Sequence, residues 1–299
     1  MLLSAPVSAF AQAYLGEPNT VSANFGYTYA PSGKLIATTG DDDNPGINEL
    51  PNVIVHAHIF ELGGQYMTPI RGLAVEASLP LVAIKVGDGS FNHFPKASRY
   101  DDHDTHFTFT DLRGGLRYQL KQIEQYLGLS FSLAGSVPVA DYPTLGFGGP
   151  GHQLKALYAG VSAARTLDPV LPNLYVQLDY EYAKREKVDV DAETEKFNRD
   201  YSSVGMMLAY FLPHNLFAGI AGNYRHAHGG TTFNELIFES QSVQDEHDRL
   251  LKESFALVGG NLGWSVNEKL QVGAAVRFFV YGRNTRNQNL FGVNANYSF

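Results

Sequence analysis

The feature that most restricts this chain is a period of two, repeated along nearly its whole length. Twelve runs, most of about 10 to 15 residues, alternate apolar with polar or small side chains, as strands with one apolar face do. They span 20–30, 53–66, 71–85, 105–119, 125–139, 152–166, 173–187, 201–212, 215–229, 251–266, 269–284 and 287–299. In 173–187, Leu174, Val176, Leu178, Tyr180 and Tyr182 alternate with Tyr175, Gln177, Asp179 and Glu181. In 269–284, Leu270, Val272, Ala274, Val276, Phe278 and Val280 alternate with Gln271, Gly273, Ala275, Arg277, Phe279 and Tyr281. In 125–139, Leu127, Leu129, Phe131, Leu133 and Val137 alternate with Gly128, Ser130, Ser132, Ala134 and Ser136. Two runs are less regular: 53–66, and 152–166, which is apolar on both parities after Lys155.

A soluble sandwich also alternates, but its strands usually run to about 5–6 residues. Runs this long suit strands tilted across a bilayer, which need about 9–11 residues for the apolar layer. The connections alternate as well. "TPIR", "KQIEQ", "DPVLPN", "PHN" and "NEK" are short, while 31–52, 86–104, 140–151, 188–200 and 230–250 are long and polar. An even number of strands joined by short periplasmic turns and long external loops is the outer-membrane pattern. Aromatics collect at run ends: Tyr27, Tyr29, Tyr180, Tyr182, Tyr224, Phe278 and Phe291 toward the long loops, and Tyr118, Tyr210, Trp264, Tyr297 and Phe299 toward the short turns. Two interfacial girdles follow from the amphipathic ring at headgroup depth. The expected fold is therefore all-β: a closed antiparallel up-and-down transmembrane β-barrel of about twelve strands, spanning 14–299, with both termini periplasmic. Its last strand must pair with its first, because an open edge in lipid leaves backbone groups unpaired.

Composition agrees. Only 17% of the 299 residues are charged, against about 25% in soluble domains. With no cysteine, disulfides and thiolate metal sites are excluded. A net charge of −8 and no Lys/Arg-rich block argue against nucleic acid as a partner. "MLLSAPVSAFAQA" ends in Ala11-Gln12-Ala13, so 1–13 is expected to be the remnant of a signal peptide. The expected location is the outer membrane of a Gram-negative cell, with membrane lipid and lipopolysaccharide as partners.

Three segments carry a resemblance: "FELGGQYMTPIRGLAVEASLPLV" (60–82), "FTDLRGGLRYQL" (109–120) and the terminal "GVNANYSF". Together they resemble the outer-membrane proteins of the phenol-degradation MetA-pathway family. That resemblance implies a transporter-like barrel for small, hydrophobic or aromatic molecules. The C-terminal aromatics Tyr297 and Phe299 resemble the signal read by the barrel-assembly machinery, which would then be a further partner.

Alternation assigns Glu76, Asp111, Arg113, Arg117, Gln177, Asp179, Glu181, Asn223, Arg225, Arg277, Asn294 and Asn296 to the lumen. Fixed charge there can set selectivity, or it can form cross-strand pairs that merely fill the barrel. Asp111, Arg113 and Arg117, beside Glu76, read as a mutually neutralising ladder. His56 and His58 share one face without a third metal ligand in sequence reach. "DDDN" (41–44) and "DDHDTH" (101–106) read as solvated acidic loops. No cofactor or metal is expected. His226 and His228 in "NYRHAHGG" have no serine in their own element, so enzymatic activity is not expected. The function expected is a channel or transporter. A narrow plugged barrel with a structural or adhesive role, or less plainly a barrel hydrolase, stays open.

Overall fold

The computed structural model describes residues 15–39, 46–50, 54–87, 99–100, 102–120, 127–145, 149–188, 197–232, 235 and 246–299. The leader segment 1–13 and "DDDN" lie outside the described residues.

Fifteen strands form a single sheet: β1 Val21–Thr39, β2 Gly46–Leu50, β3 Ile54–Met67, β4 Leu73–Gly87, β5 Thr105–Phe109, β6 Asp111–Gln119, β7 Gly128–Pro138, β8 Ala156–Thr166, β9 Leu174–Arg185, β10 Tyr201–Leu212, β11 Leu216–Ala227, β12 Ser254–Ser265, β13 Leu270–Arg283, β14 Thr285–Gln288 and β15 Leu290–Ser298. One helical turn, α1 His247–Leu250, precedes β12. Taken with their breaks, they make a closed twelve-strand antiparallel barrel. The closure is direct. β1 pairs with β3 from Val21↔Tyr66 to Ser32↔Val55 and, on its other edge, with β15 from Ser22↔Ser298 to Tyr29↔Phe291. No edge is left at this seam, as lipid requires.

The register separates two faces. Away from the strand ends, exposed apolar residues fall on one parity: Phe25, Leu62, Val75, Leu116, Phe131, Leu133, Leu157, Leu178, Val204, Ile220, Val258, Leu262 and Val293. This unbroken apolar exterior is stable only against lipid. An apolar depression of about 510 Å³, lined by Phe25, Leu262, Trp264, Val272, Ala274 and Val293, lies on this outer face near the short turns.

The short turns use residues that tolerate a left-handed backbone. His214 and Asn215 carry φ of 63° and 58° between β10 and β11. Gly72 carries φ of 82°, and a Cβ there would meet the Gln119 carbonyl at 2.8 Å.

Four details differ from the sequence reading. β1 continues through 31–39 and pairs with β2, so the expected loop 31–52 is partly a hairpin. The β1–β14 pairing carries a register shift between Ser32 and Leu35. The run 105–119 breaks at Thr110, whose N–H bonds the Pro80 carbonyl at 3.0 Å. Phe109 therefore faces out and Asp111 in, separated by one extra residue. The run 152–166 begins as strand only at Ala156. Finally, Tyr281 faces outward. A bulge opposite Ala256/Leu257 reverses the parity after Phe279, and Tyr281 packs against outward Tyr224 at 6.4 Å between ring centroids.

Candidate functional site: the lumen and its long-loop mouth

All twelve residues assigned to the lumen stand on the parity opposite the exposed apolar set. Their contacts divide them. Arg117 pairs with Glu76 across β4 and β6, Nε to Oε1 at 2.8 Å, and Gln65 donates to the same carboxylate at 2.7 Å. The rest of the expected ladder does not form. Arg113 reaches instead to Glu181, Nη2 to Oε2 at 2.5 Å, from β6 to β9. That path passes two intervening strands, about 14 Å along the wall. It is open because β7 and β8 present small inward residues, Ser132, Ala134, Gly160 and Ser162, and Arg113 lies over the Tyr158 ring at 4.1 Å. Asp111 accepts a 2.6 Å hydrogen bond from the Tyr142 hydroxyl.

Of the remaining assigned residues, Gln177, Asp179, Asn223 and Arg277 have local partners, whereas Arg225 Nε and Asn294 Oδ1 are buried without one. Gln177 receives from Tyr175 at 2.7 Å and donates to Asp179 at 2.9 Å. Asn223 donates to the Val204 carbonyl at 3.4 Å. Arg277 bonds the carbonyls of Gly260 and Val276 at 3.0 and 2.9 Å. Asn294 and Asn296 stand opposite Gly26 and Asn24 at the seam.

Toward the long loops the lumen has two unlike walls. β1, β3, β4, β12, β13 and β15 contribute Val55, Ile59, Val82, Ile84, Val86, Phe255, Leu257, Phe279 and Leu290, which pack as one apolar cluster inside the barrel. The opposite wall, β6 to β11, carries Asp111, Arg113, Glu181, Arg185, Tyr201 and Arg225.

Connecting segments cover this mouth. Leu154, Val188, Leu250 and Leu251 form a small buried cluster with Phe197. Tyr142 is almost fully buried, and its hydroxyl accepts the Gln153 N–H at 2.9 Å. Burial and the adjoining Asp111 raise its pKa. His152 lies between two guanidinium groups, with Nδ1 3.2 Å from Arg185 and Nε2 3.4 Å from Arg199. Burial, then Arg185, Arg199 and Arg225, hold its pKa well below the usual imidazole value. Arg199 donates to the Leu251 carbonyl and approaches Glu253 at 4.0 Å. Burial pushes the Arg199 pKa down to about 9, and burial raises that of Glu253.

The sequence reading missed Glu61, Tyr142, His152, Arg185, Arg199, Tyr201 and Glu253. Glu61, Arg185 and Tyr201 occupy the inward parity of their strands, so alternation carried that signal. The other four lie in connections, where no period exists.

Histidines gather on the outer face of the same rim. His56 and His58 bond Tyr29 and Tyr27, each at 2.8 Å. His228 Nε2 lies 2.7 Å from Ser202 Oγ on the preceding strand, β10. Among the described residues no carboxylate bonds the other ring nitrogen of His228. Among the described residues the pair therefore has no third group of the kind that orients a base in nucleophilic catalysis. Tyr297 and Phe299 stack edge-on at 5.0 Å, and the Phe299 N–H bonds the Val21 carbonyl at 2.9 Å across the seam.

No protein-family model matches the chain, and no curated protein matches it. Solved structures do. The COG4313 outer membrane channel from Pseudomonas putida F1 superposes with a TM-score of 0.72 over 97% of this chain and 98% of that one, at 9% identity. The TodX monoaromatic hydrocarbon channel ΔS2 mutant gives 0.43 at 10% identity, covering 94% of this chain and 90% of that one. The CymD monoaromatic hydrocarbon channel gives 0.42 at 13% identity, covering 95% and 89%. The first similarity shows a shared barrel fold; the other two superpositions are too loose to carry argument.

Proposed function

We propose that this chain is an outer-membrane channel that passes small hydrophobic or aromatic molecules, with both termini on the periplasmic side. The observation that carries the reading is the apolar wall inside the barrel. A barrel that serves only to conduct ions gains nothing from packing Val55, Ile84, Leu257 and Leu290 into an apolar cluster on one side of its interior, because wide lumens are polar. A wall of this kind lowers the cost of bringing an apolar solute in from water. The fold shared with a solved outer membrane channel supports the same reading, as does the resemblance carried by 60–82, 109–120 and the C-terminus. We also assign Tyr297 and Phe299 to recognition during assembly; loss of Phe299 should lower the yield of heat-modifiable barrel several-fold, while Ser298→Ala should not.

Liposome swelling tests the channel. Vesicles carrying the barrel should take up benzyl alcohol or phenol faster than protein-free vesicles, and faster than they take up a sugar of similar mass. Equal rates with and without protein would favour the plugged, structural barrel.

A further inference from the structure

The polar wall contains a guanidinium that its own fold does not satisfy. Arg225 is nine-tenths buried, with 9% of its surface exposed. It makes no side-chain hydrogen bond among the described residues, and its Nε is buried without a partner. Its contacts are with rings: it lies over Tyr201 at 3.9 Å and beside Phe255 at 5.8 Å. Two more guanidinium groups are close. Arg185 lies over the same Tyr201 ring at 4.9 Å and is joined through His152 to Arg199.

The acids facing this group leave Arg225 without a hydrogen-bonded carboxylate: Asp111 and Glu181 lie toward Arg185 and Tyr201 but are engaged by Tyr142 and Arg113. Asp200 is occupied by the Tyr182 hydroxyl at 2.9 Å and the Arg185 backbone N–H at 2.9 Å. Glu253 is shared between Arg199 and Arg225 as the nearest carboxylate, and its Oε2 is buried with no hydrogen-bond donor. Asp248 lies farther out, near Arg199 and Glu253. Arg199 and Arg225 are buried and Arg185 half-buried, and cations enclosed in this way are costly unless another anion joins them.

The place of Arg225 in the sheet indicates the kind of anion. It is paired in register with Phe255, and the next inward pair is Asn223↔Leu257. Phe255 and Leu257 belong to the apolar wall with Phe279 and Leu290. Arg225 therefore stands where the two walls meet, with charge on one side and hydrocarbon on the other. A guanidinium favours a planar carboxylate because two parallel N–H donors match its two oxygens. We propose that Arg225, with Arg185 and Arg199 behind it, forms a binding site for a small amphipathic carboxylate. The carboxylate lies against the guanidinium groups, and its apolar body lies against Phe255, Leu257 and Leu290. The inference deepens the channel reading by naming a substrate class, monoanionic aromatic or aliphatic acids, and rests on that reading for its role in passage.

Isothermal titration of the detergent-solubilised full barrel with benzoate, benzyl alcohol and inorganic phosphate tests the site. Benzoate should bind at least tenfold tighter than either of the others. Arg225→Gln should weaken benzoate at least tenfold and leave benzyl alcohol unchanged, with Arg225→Lys between, since it keeps charge but loses the fork. Heat-modifiable migration confirms that each variant is assembled. Should Arg225→Gln fail to assemble, the wild-type barrel decides the matter. Benzoate must raise its unfolding midpoint where benzyl alcohol at the same concentration does not, because a ligand of the folded state stabilises it. Phosphate binding as tightly as benzoate, or an unchanged benzoate affinity in assembled Arg225→Gln, overturns the proposal. Benzoate swelling assays run in parallel separate the two readings. Binding without permeation sustains the site and removes the channel; permeation without binding removes the site alone.

Discussion

The two walls of the upper lumen are built from the same kind of strand and solve opposite problems. On β6 to β11 the inward parity holds charge, and the cost of enclosing it is met by long-range partners: Arg113 with Glu181 at 2.5 Å and Asp111 with Tyr142 at 2.6 Å. On β1, β3, β4, β12, β13 and β15 the inward parity is apolar and packs like a soluble core, with Ile84, Leu257 and Leu290 all but fully buried. Both walls face lipid with identical chemistry. The contrast teaches that the exterior fixes the fold, while the interior is free to differ from wall to wall and so can carry specificity.

The strongest way to break this comparison is to exchange chemistry between the walls. Val82→Asp would place a carboxylate in the apolar cluster opposite Ile59, on the strand pair away from Arg225, a loss of about 3–5 kcal/mol for an uncompensated buried charge. Against a net stability of about 5–15 kcal/mol, assembled barrel should fall sharply. Ser132→Asp on the polar wall should leave assembly intact. Heat-modifiable migration across a temperature series gives both numbers, and equal midpoints would erase the distinction between the walls.

The next test sets either wall against the exterior. Val276 pairs with Phe291 on the lipid side, whereas Arg277 pairs with Leu290 on the lumen side. Val276→Arg should cost about 2–4 kcal/mol near the membrane midplane, and Arg277→Leu much less. Arg277→Leu failing while Val276→Arg assembles would reverse the face assignment of β13.

These outcomes also mark how far the sequence could be read. The polar wall was legible because a charge on the minor parity of an alternating strand has one place to go; Asp179, Glu181 and Arg225 are examples. The apolar wall was not. In "VIVHAHIFELGG" and "LAVEASLPLVAIKVG" the inward parity turns apolar toward the long-loop end while His56, His58 and Lys85 stand on the outward one, so alternation gives the wrong sense where the wall begins. Tyr281 was misread because one bulge inverts every later side chain on its strand. The ladder expected of Asp111, Arg113 and Arg117 failed for another reason. Nearest neighbours in sequence compete with distant residues, and the small side chains of β7 and β8 opened a path to Glu181. The mouth cluster was invisible since His152, Arg199 and Glu253 sit in connections that only the closed barrel brings together.

A smaller effect sharpens the account of the polar wall. Arg113 and Glu181 are partly exposed, 37% and 24% by side chain, so solvent screening holds their coupling to about 1 kcal/mol or less. A double-mutant cycle with Arg113→Met and Glu181→Gln should return that value. Because the pair projects into the lumen over β7 and β8, single-channel conductance should rise in the double variant. Unchanged conductance would mean that the pair does not narrow the path.

A last effect concerns the covered mouth and runs through His152. Its ring is buried between Arg185 and Arg199, so the folded state favours neutral imidazole and holds the pKa well below the unfolded value, which is about 6.5. The unfolded chain therefore binds a proton that the folded chain refuses. Stability from this group is fully present above about pH 6.5 and is lost as pH falls toward the folded value, by at most about 1.4 kcal/mol for each pH unit. Glu253 acts with the opposite sign, since burial raises its pKa and acidification then favours the folded state. A comparison of wild type with His152→Gln removes the Glu253 contribution, which both proteins share. Between pH 6.5 and 5.5 the wild type should lose stability relative to the variant, read as protease cleavage in the segments near Leu154 and Leu251, while the two should differ little in slope above pH 7.5. Parallel pH profiles would show that protonation of His152 does not govern how tightly those segments close over the polar wall.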